Sequence, residues 1–337
     1  MGKSLKEVIE KYNSLGINQQ LDYDKFYVYS IITHSTAIEG STVTEIENQL
    51  LFDEGISANK PIKEQMMNLD LKKAYEKSFE YAKKHEKLTV EMLCNLSSIL
   101  MQNTGTEYNT IAGSFSSAKG ELRLVNVSAG RGGKSYLAWQ KVPDRLQKTC
   151  DYLNRRRSEI DKNSIEEIYK LSFEAHYLLV SIHPWADGNG RMSRLVMNMI
   201  QKEFDVIPSI VKKENRAEYI QSLASSQEKD DIQDFMDFMI NHHVQNLLQQ
   251  INEYSESLDD DTLNDKNDTL NDTLKLSQKE ISVLEIIKSN LTVTTAQIVE
   301  QTGFSRPTVM RAIKNLKENK ILERVDSKKT GSWKVNV

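Results

Sequence analysis

From residue 5 to about 105 the apolar residues recur at steps of three and four: Phe26, Tyr29 and Ile32, then Met67, Leu71 and Tyr75, then Met92, Leu96 and Leu100. This spacing places them on one face of an α-helix and predicts a mostly helical segment. The texture changes between 121 and 137. There ELRLVNV alternates apolar with polar residues, AGRGG supplies a glycine-rich tip and KSYLA resumes, which predicts two short strands in a β-hairpin. Helical periodicity returns near 143 and runs to about 251, with breaks near 183–190 and 205–212.

Residues 256–276 are acidic, polar and nearly repetitive, with DTLND at 261–265 and again at 268–272. Such a stretch has no apolar face to bury and reads as a flexible linker. Beyond it, Ser277 and Glu280 form a capping box opening a helix, Thr294 and Gln297 repeat the pattern, and Gly303 supplies a tight turn. Ser305 then caps a third helix with Pro307 in its first turn. ILERV, SKKTGS and WKVNV follow as strand, turn and strand. Three helices and a terminal hairpin are the layout of a winged helix-turn-helix.

Composition supports a helical chain. The 337 residues include 14 Gly and 5 Pro, about half the usual share of these two residues, roughly 12%. This argues against collagen-like or low-complexity sequence and against a turn-dense β-sandwich, and the length suggests about two domains. The formal net charge of −4 hides an asymmetry. Residues 277–337 hold 11 Lys/Arg and 6 Asp/Glu; with 44 and 48 in the whole chain, 33 and 42 remain for residues 1–276. A basic C-terminal piece follows an acidic body. Cys94 and Cys150 sit in helix-like contexts and read as free thiols of a reducing compartment. The N-terminus has no apolar core of signal-peptide type and no stretch has the length and apolarity of a membrane span. The expectation is a cytoplasmic protein without a membrane partner.

The chemistry concentrates in one segment, His183-Pro184-Trp185-Ala186-Asp187-Gly188-Asn189-Gly190-Arg191-Met192-Ser193-Arg194, between helices at about 165–181 and 190–203. Gly188 and Gly190 permit positive φ, so backbone N–H groups can turn inward as an anion nest at a helix N-terminus. Arg191 and Arg194 lie three apart on one helix face, a pair of guanidinium forks suited to polyphosphate. Asp187 beside phosphates suits Mg²⁺, which takes one or two carboxylates plus phosphate oxygens. His183 alone in the segment titrates near neutrality and is the candidate general base. A calcium loop is excluded: with Asp187 at loop position 1, 3 or 5, position 12 is Asn198, Val196 or Arg194, never Glu. A plain helix–loop–helix turn with a capping histidine is the structural alternative.

The segment resembles the signature of the Fic family, H-P-F-x-[D/E]-G-N-G-R-x-x-R, with Trp185 in place of the Phe. The resemblance implies a mainly α fold, a Fic-type helical bundle with a small β-hairpin flap. It implies a protein adenylyltransferase that moves AMP from ATP to a Ser, Thr or Tyr hydroxyl of a protein target, another protein or the chain itself, with ATP and Mg²⁺ as the small-molecule requirements. His183 would take the hydroxyl proton, and Asp187 would hold Mg²⁺. Gly188, Asn189 and Gly190 would form the anion hole, and Arg191 and Arg194 would grip the β- and γ-phosphates. By the same resemblance His176 is a packing residue, and the flap with Val125, Asn126, Val127, Gly130 and Gly132 docks the target. Asn215 and Tyr219 would close over the adenine.

Upstream, Ser35-Thr36-Ala37-Ile38-Glu39-Gly40 resembles the inhibitory S-x-x-x-E-G helix of Fic proteins with an N-terminal brake. On its own the pattern is a helix end with Gly40 at C′. With the motif present, Ser35 and Glu39 are expected to be inhibitory, Glu39 occupying the fork of Arg194 and repelling the γ-phosphate. The expected domains are 1–90, a helical region with the inhibitory helix; 91–252, the catalytic core; 253–276, the linker; and 277–337, the winged helix. In the last, Arg306, Arg311, Lys314, Lys317 and Lys320 fall on the recognition helix and Lys328 and Lys329 on the wing tip, an arrangement suited to duplex DNA. The alternatives are a winged helix that docks protein, a regulator whose core senses nucleotide, and an enzyme that uses another donor or removes AMP. The sequence leaves homo-oligomerisation open.

Overall fold

The computed structural model describes residues 4–20, 22–129, 135–264, 278–318, 321–325 and 332–335. Contacts divide the chain into two units, residues 1–248 and 249–337.

The first unit opens with α1 (Leu5–Ser14), α2 (Tyr23–Ile38), α3 (Glu45–Asp53), α4 (Ile62–Lys83) and α5 (Val90–Leu100). Side-chain caps start several of them. Ser4 with Glu7 and Thr44 with Glu47 form complete capping boxes for α1 and α3, and the Thr89 hydroxyl accepts from Met92 N at α5. The strands β1 (Glu107–Thr110) and β2 (Gly113–Ser116) then form an antiparallel hairpin, with Tyr108 opposite Phe115 and their rings stacked at 4.9 Å. Helices α6 (Val142–Glu159), α7 (Ile165–Ile182), α8 (Asn189–Glu203) and α9 (Arg216–Lys229) follow, and α10 spans Gln233–Asn264. The core lies where α4, α7 and α8 pack: Leu71, Ala74, Tyr75, Leu171, Phe173 and Leu195 are fully buried. Tyr75 Oη donates to Asn198 Oδ1 at 2.8 Å, so this buried hydroxyl is satisfied.

The end of α2 is held by a buried polar cluster. Asn68 on α4 accepts from Thr36 Oγ1 at 2.7 Å and from Asn48 Nδ2 at 2.9 Å, and donates to Ser41 Oγ at 3.2 Å. Asn48 Nδ2 also reaches Thr33 Oγ1 at 2.8 Å. Helices α2, α3 and α4 are thus joined by hydrogen bonds in a region closed to water, where an unmade bond would cost more than a made one contributes.

The second unit holds α11 (Gln278–Ser289), α12 (Thr295–Thr302), α13 (Arg306–Glu318), β3 (Leu322–Val325) and β4 (Ser332–Val335). Thr294 and Gln297 form the expected capping box and Gly303 turns at φ 68°. The hairpin register sets Leu322 opposite Val335. Trp333 seals the module: its backbone N donates to Leu291 O at 2.7 Å and its Nε1 to Val293 O at 2.8 Å.

Two expectations change. The hairpin predicted at 121–137 is not a ladder but an isolated bridge, Ser128 to Ser135, with Tyr136 N donating to Val127 O at 3.0 Å. The paired strands are instead at 107–116, where the stacked aromatic pair supplies the packing that ELRLVNV lacks. The acidic stretch read as linker from 253 begins as helix, since α10 runs to Asn264, its polar side chains bonding one turn apart as Gln249 Nε2 does to Glu253 Oε1 at 2.9 Å. Ser277, Gly130, Gly132, Lys320, Lys328 and Lys329 lie outside the described residues.

Candidate functional site

Helix α7 ends at His183, which takes the left-handed conformation with φ 53° and ψ 62° and donates its N–H to Leu179 O at 3.0 Å. Gly188, with φ 82°, is the second left-handed residue and precedes α8. The turn between them is locked from within. Asn189 Oδ1 accepts from Trp185 N at 3.1 Å and Asn189 Nδ2 donates to Trp185 O at 2.8 Å. The Trp185 indole is buried and donates to Gly120 O at 3.0 Å. The Asn189 side chain therefore shapes the turn from its inner side and does not face an anion.

Gly190 lies inside α8 and takes no positive φ, so its expected part in the nest changes. What it supplies is room: a Cβ there would lie 2.6 Å from Glu39 Oε1 and 3.2 Å from Arg194 Nη1. The missing side chain lets the end of α2 reach the first turn of α8.

The two motif arginines are both buried but differ in partners. Arg194 is 3% exposed, and each of its three guanidinium nitrogens has a partner. Its Nη2 donates to Glu39 Oε1 at 2.6 Å and to Ser35 O at 3.0 Å, its Nε to Ser35 Oγ at 2.8 Å, and its Nη1 to Tyr219 Oη at 3.4 Å. Arg191, 4% exposed, touches Met101 Sδ at 3.2 Å and stands 3.8 Å from Asp187 Oδ1, while its Nε and Nη1 have no hydrogen-bond partner among the described residues. Burial alone would raise the Glu39 pKa, but the guanidiniums of Arg194, Arg191 and Arg216 outweigh it and hold the carboxylate ionised. Burial pushes the Arg191 guanidinium pKa down, opposed by Asp187 and Glu39. Arg216 Nε donates to Ile38 O at 2.7 Å, fixing the α2 terminus from the α9 side.

His183 is stacked on Tyr136, ring centroids 4.0 Å apart at 22°. Burial lowers its pKa to about 4, with the Val180 backbone, Asp187 and Glu39 acting the other way. The imidazole is thus neutral at pH 7, the form that accepts a proton. Asp187 is 57% exposed, and its Oδ1 accepts from Gly188 N at 2.6 Å. No cluster of three or more His, Cys, Asp or Glu side chains able to hold a metal occurs among the described residues. A cation at Asp187 would accordingly need phosphate and water oxygens for its remaining ligands, which is the usual state of Mg²⁺.

Tyr219 corrects an expectation. It is 1% exposed and offers no face to an adenine; its hydroxyl bridges His176 Nε2 at 2.8 Å and Arg194. His176 is the packing residue expected, fully buried and stacked on Phe235. Asn215 sits at the start of α9 with Nδ2 3.4 Å from Glu218 Oε2. In the segment expected to be the flap, Val125 O and Val127 O accept from Arg123 Nη1 and Tyr136 N, and Asn126 Oδ1 accepts from Trp139 N. Sequence reasoning missed Arg123 and Asn68, since each acts through partners far away in the chain. In the second unit Arg306, Arg311 and Lys314 lie on α13 as expected, Lys314 exposed, and Lys317 Nζ packs 5.3 Å from the Trp333 ring centre.

Two stretches of the chain match known families. Residues 87–201 match the Fic/DOC family model and residues 274–331 the MarR family model. The chain thus carries a Fic/DOC domain and a C-terminal MarR-family winged-helix domain. It is 24% identical over 265 residues to protein adenylyltransferase fic-1 of Caenorhabditis elegans, covering 77% of this chain and 48% of that protein. The chain spans half or less of the length of the first curated relatives it matches. Its fold is similar to a Fic-domain signalling protein of Bacteroides thetaiotaomicron, with TM-score 0.59, 21% identity and coverage of 75% of this chain and 97% of that one. A Fic family protein of Desulfovibrio desulfuricans is similar over 100% of this chain and 97% of that one, with TM-score 0.57 and 17% identity. No described helix is long and apolar enough to cross a membrane.

The buried histidines set a pH dependence. Burial lowers His183 and His242 to about 4, His243 to about 3, and His176 well below its ordinary value. In the unfolded chain each titrates near ~6.5. Below that pH the unfolded state binds protons that the folded state does not, so stability present above it is lost as pH falls, by up to roughly 1.4 kcal/mol per pH unit for each histidine. The urea midpoint is expected to be lower at pH 5 than at pH 7; equal midpoints would show that these groups are not held neutral.

Proposed function

We propose that the chain is a protein adenylyltransferase, transferring AMP from ATP to a Ser, Thr or Tyr hydroxyl of a protein target, and that Glu39 restrains it through Arg194. The observation that carries the reading is the buried guanidinium of Arg191, whose Nε and Nη1 have no hydrogen-bond partner among the described residues, together with the left-handed Gly188 and a neutral, shielded His183. A buried cation with two nitrogens that lack a hydrogen-bond partner is costly unless an anion completes it. The relatives named protein adenylyltransferase support the same reading.

In this reading Arg191 and the N–H groups at the start of α8 hold the phosphates, and Arg194 takes the outermost phosphate once Glu39 leaves its fork. Asp187 would hold Mg²⁺, which supplies charge neutralisation on the phosphate oxygens when bound. His183 accepts the proton of the target hydroxyl. The oxygen bonds to the α-phosphorus, the bond to the bridging oxygen breaks, and pyrophosphate leaves. With Glu39 Oε1 2.6 Å from Arg194 Nη2, carboxylate and γ-phosphate compete for one donor.

Incubation with α-labelled ATP and Mg²⁺, followed by mass spectrometry of modified residues, tests the proposal. Glu39→Gly is expected to raise labelling roughly 10- to 100-fold, because a charge-assisted bond worth ~1.5–3 kcal/mol no longer has to be broken. Adding His183→Ala should lower transfer by about 10²–10⁴-fold while leaving ATP binding in place. Labelling that is unchanged in Glu39→Gly removes the restraint, and full activity in His183→Ala removes the base.

The MarR-family match and the basic α13 support a second partner, duplex DNA. Binding by the full chain should weaken steeply with salt. Arg311→Ala and Lys314→Ala should each reduce the slope of log K against log salt by about 1. Absence of binding at low salt would favour a protein-docking module.

A further inference from the structure

Arg123 stands outside the signature motif, yet it is the most completely enclosed cation in the described residues around His183, 1% exposed. Every donor group of its guanidinium goes to main-chain carbonyls. Nε donates to His183 O at 2.7 Å, Nη1 to Val125 O at 2.7 Å, and Nη2 to Leu137 O and, at 3.4 Å, to Ile182 O. Its own backbone N–H donates to Pro184 O at 3.0 Å. Among the described residues no carboxylate is paired with it, and burial lowers its pKa.

A buried guanidinium without a counter-ion is an expensive way to fill space. Its planar fork offers what no other side chain does, five donors fixed in direction and able to span separate chain segments. The segments joined here are the two arms of residues 123–137 and the loop carrying His183. On the second arm, one residue before Leu137, the Tyr136 ring covers the His183 imidazole.

We infer that Arg123 is a positioning residue: its fork ties both arms of the 123–137 segment to the main chain of the His183 loop and thereby holds Tyr136 against the imidazole. The stack fixes the ring plane of His183 and keeps water from one face of it. Arg123 touches neither nucleotide nor target. Its effect on transfer rests on the adenylyltransferase reading; its effect on His183 does not. The charged and titratable groups around His183 are Arg123, Tyr136, Asp187 and Glu39, and only the first two belong to this clamp.

The test uses the full chain carrying Glu39→Gly, with Arg123→Lys and, separately, Tyr136→Leu. A lysine keeps the charge but cannot reach three segments at once. Arg123→Lys is expected to lower kcat by about 10²-fold, the cost of a misplacement near 1 Å, with KM for ATP unchanged because Arg191 and Arg194 are untouched. The acid limb of the kcat profile should rise from its position in the Glu39→Gly parent toward the ordinary histidine value as water reaches the imidazole. Unchanged kcat and an unchanged acid limb overturn the proposal. If Arg123→Lys loses its fold, Tyr136→Leu decides: the same two changes in a folded protein support the clamp, and parental values overturn it. If the Glu39→Gly parent transfers no AMP, the adenylyltransferase reading fails. NMR titration of His183 then still decides the clamp, a raised pKa in Arg123→Lys supporting it and an unmoved one overturning it.

Discussion

The ion pair between Arg194 and Glu39 is the contact around which the first unit is arranged. A guanidinium 3% exposed cannot be left bare, because removing one partner of a buried pair strands the other charge. Satisfying it draws in Ser35 and Glu39 from the end of α2, Tyr219 from α9 and, behind Tyr219, His176 from α7. Three helices are thereby tied to one side chain of α8. In the same first turns of α8, Arg191 is nearly as enclosed and two of its nitrogens are open. One arginine is filled by the protein and the other is not, and that asymmetry is the electrostatic character of the site.

The location of Glu39 is not a property of the turn between His183 and Gly188. It is set by the cluster of Asn68, Asn48, Thr33, Thr36 and Ser41, and by the bond from Arg216 to Ile38 O. Directional bonds in a dry region hold a helix end more tightly than apolar packing, which tolerates sliding. The carboxylate is therefore placed by α2, α3, α4 and α9, all outside the segment from His183 to Arg194.

The segment from His183 to Arg194 was legible because its chemistry is local: glycines, an acid, a histidine and two arginines at helical spacing act on one another within twelve residues. The pairing of Glu39 with Arg194 was legible only through resemblance, since nothing in either segment points to a partner 155 residues away. Arg123 looked like a polar position in an alternating strand, and its main-chain partners at 182 and 183 leave no mark in composition. Tyr219 read as part of a surface that closes on a ligand because burial depends on what packs over a helix. The β1–β2 hairpin escaped notice because EYNT and GSFS are short and polar; their pairing depends on the Tyr108–Phe115 contact. Asn189 and Gly190 show the converse. The motif identified both, but not that one braces the turn from inside and the other works by volume rather than by φ.

Gly190 gives that last point a mechanical meaning. An alanine at most second positions of a helix is an unremarked change, even a gain in propensity. Here its methyl carbon would lie 2.6 Å from the Glu39 carboxylate, and one of the two must move. The position acts as a wedge point: one methyl group of bulk on α8 translates into separation of charges and into displacement of a different helix. Side-chain size at residue 190 and the closeness of α2 are one variable, not two.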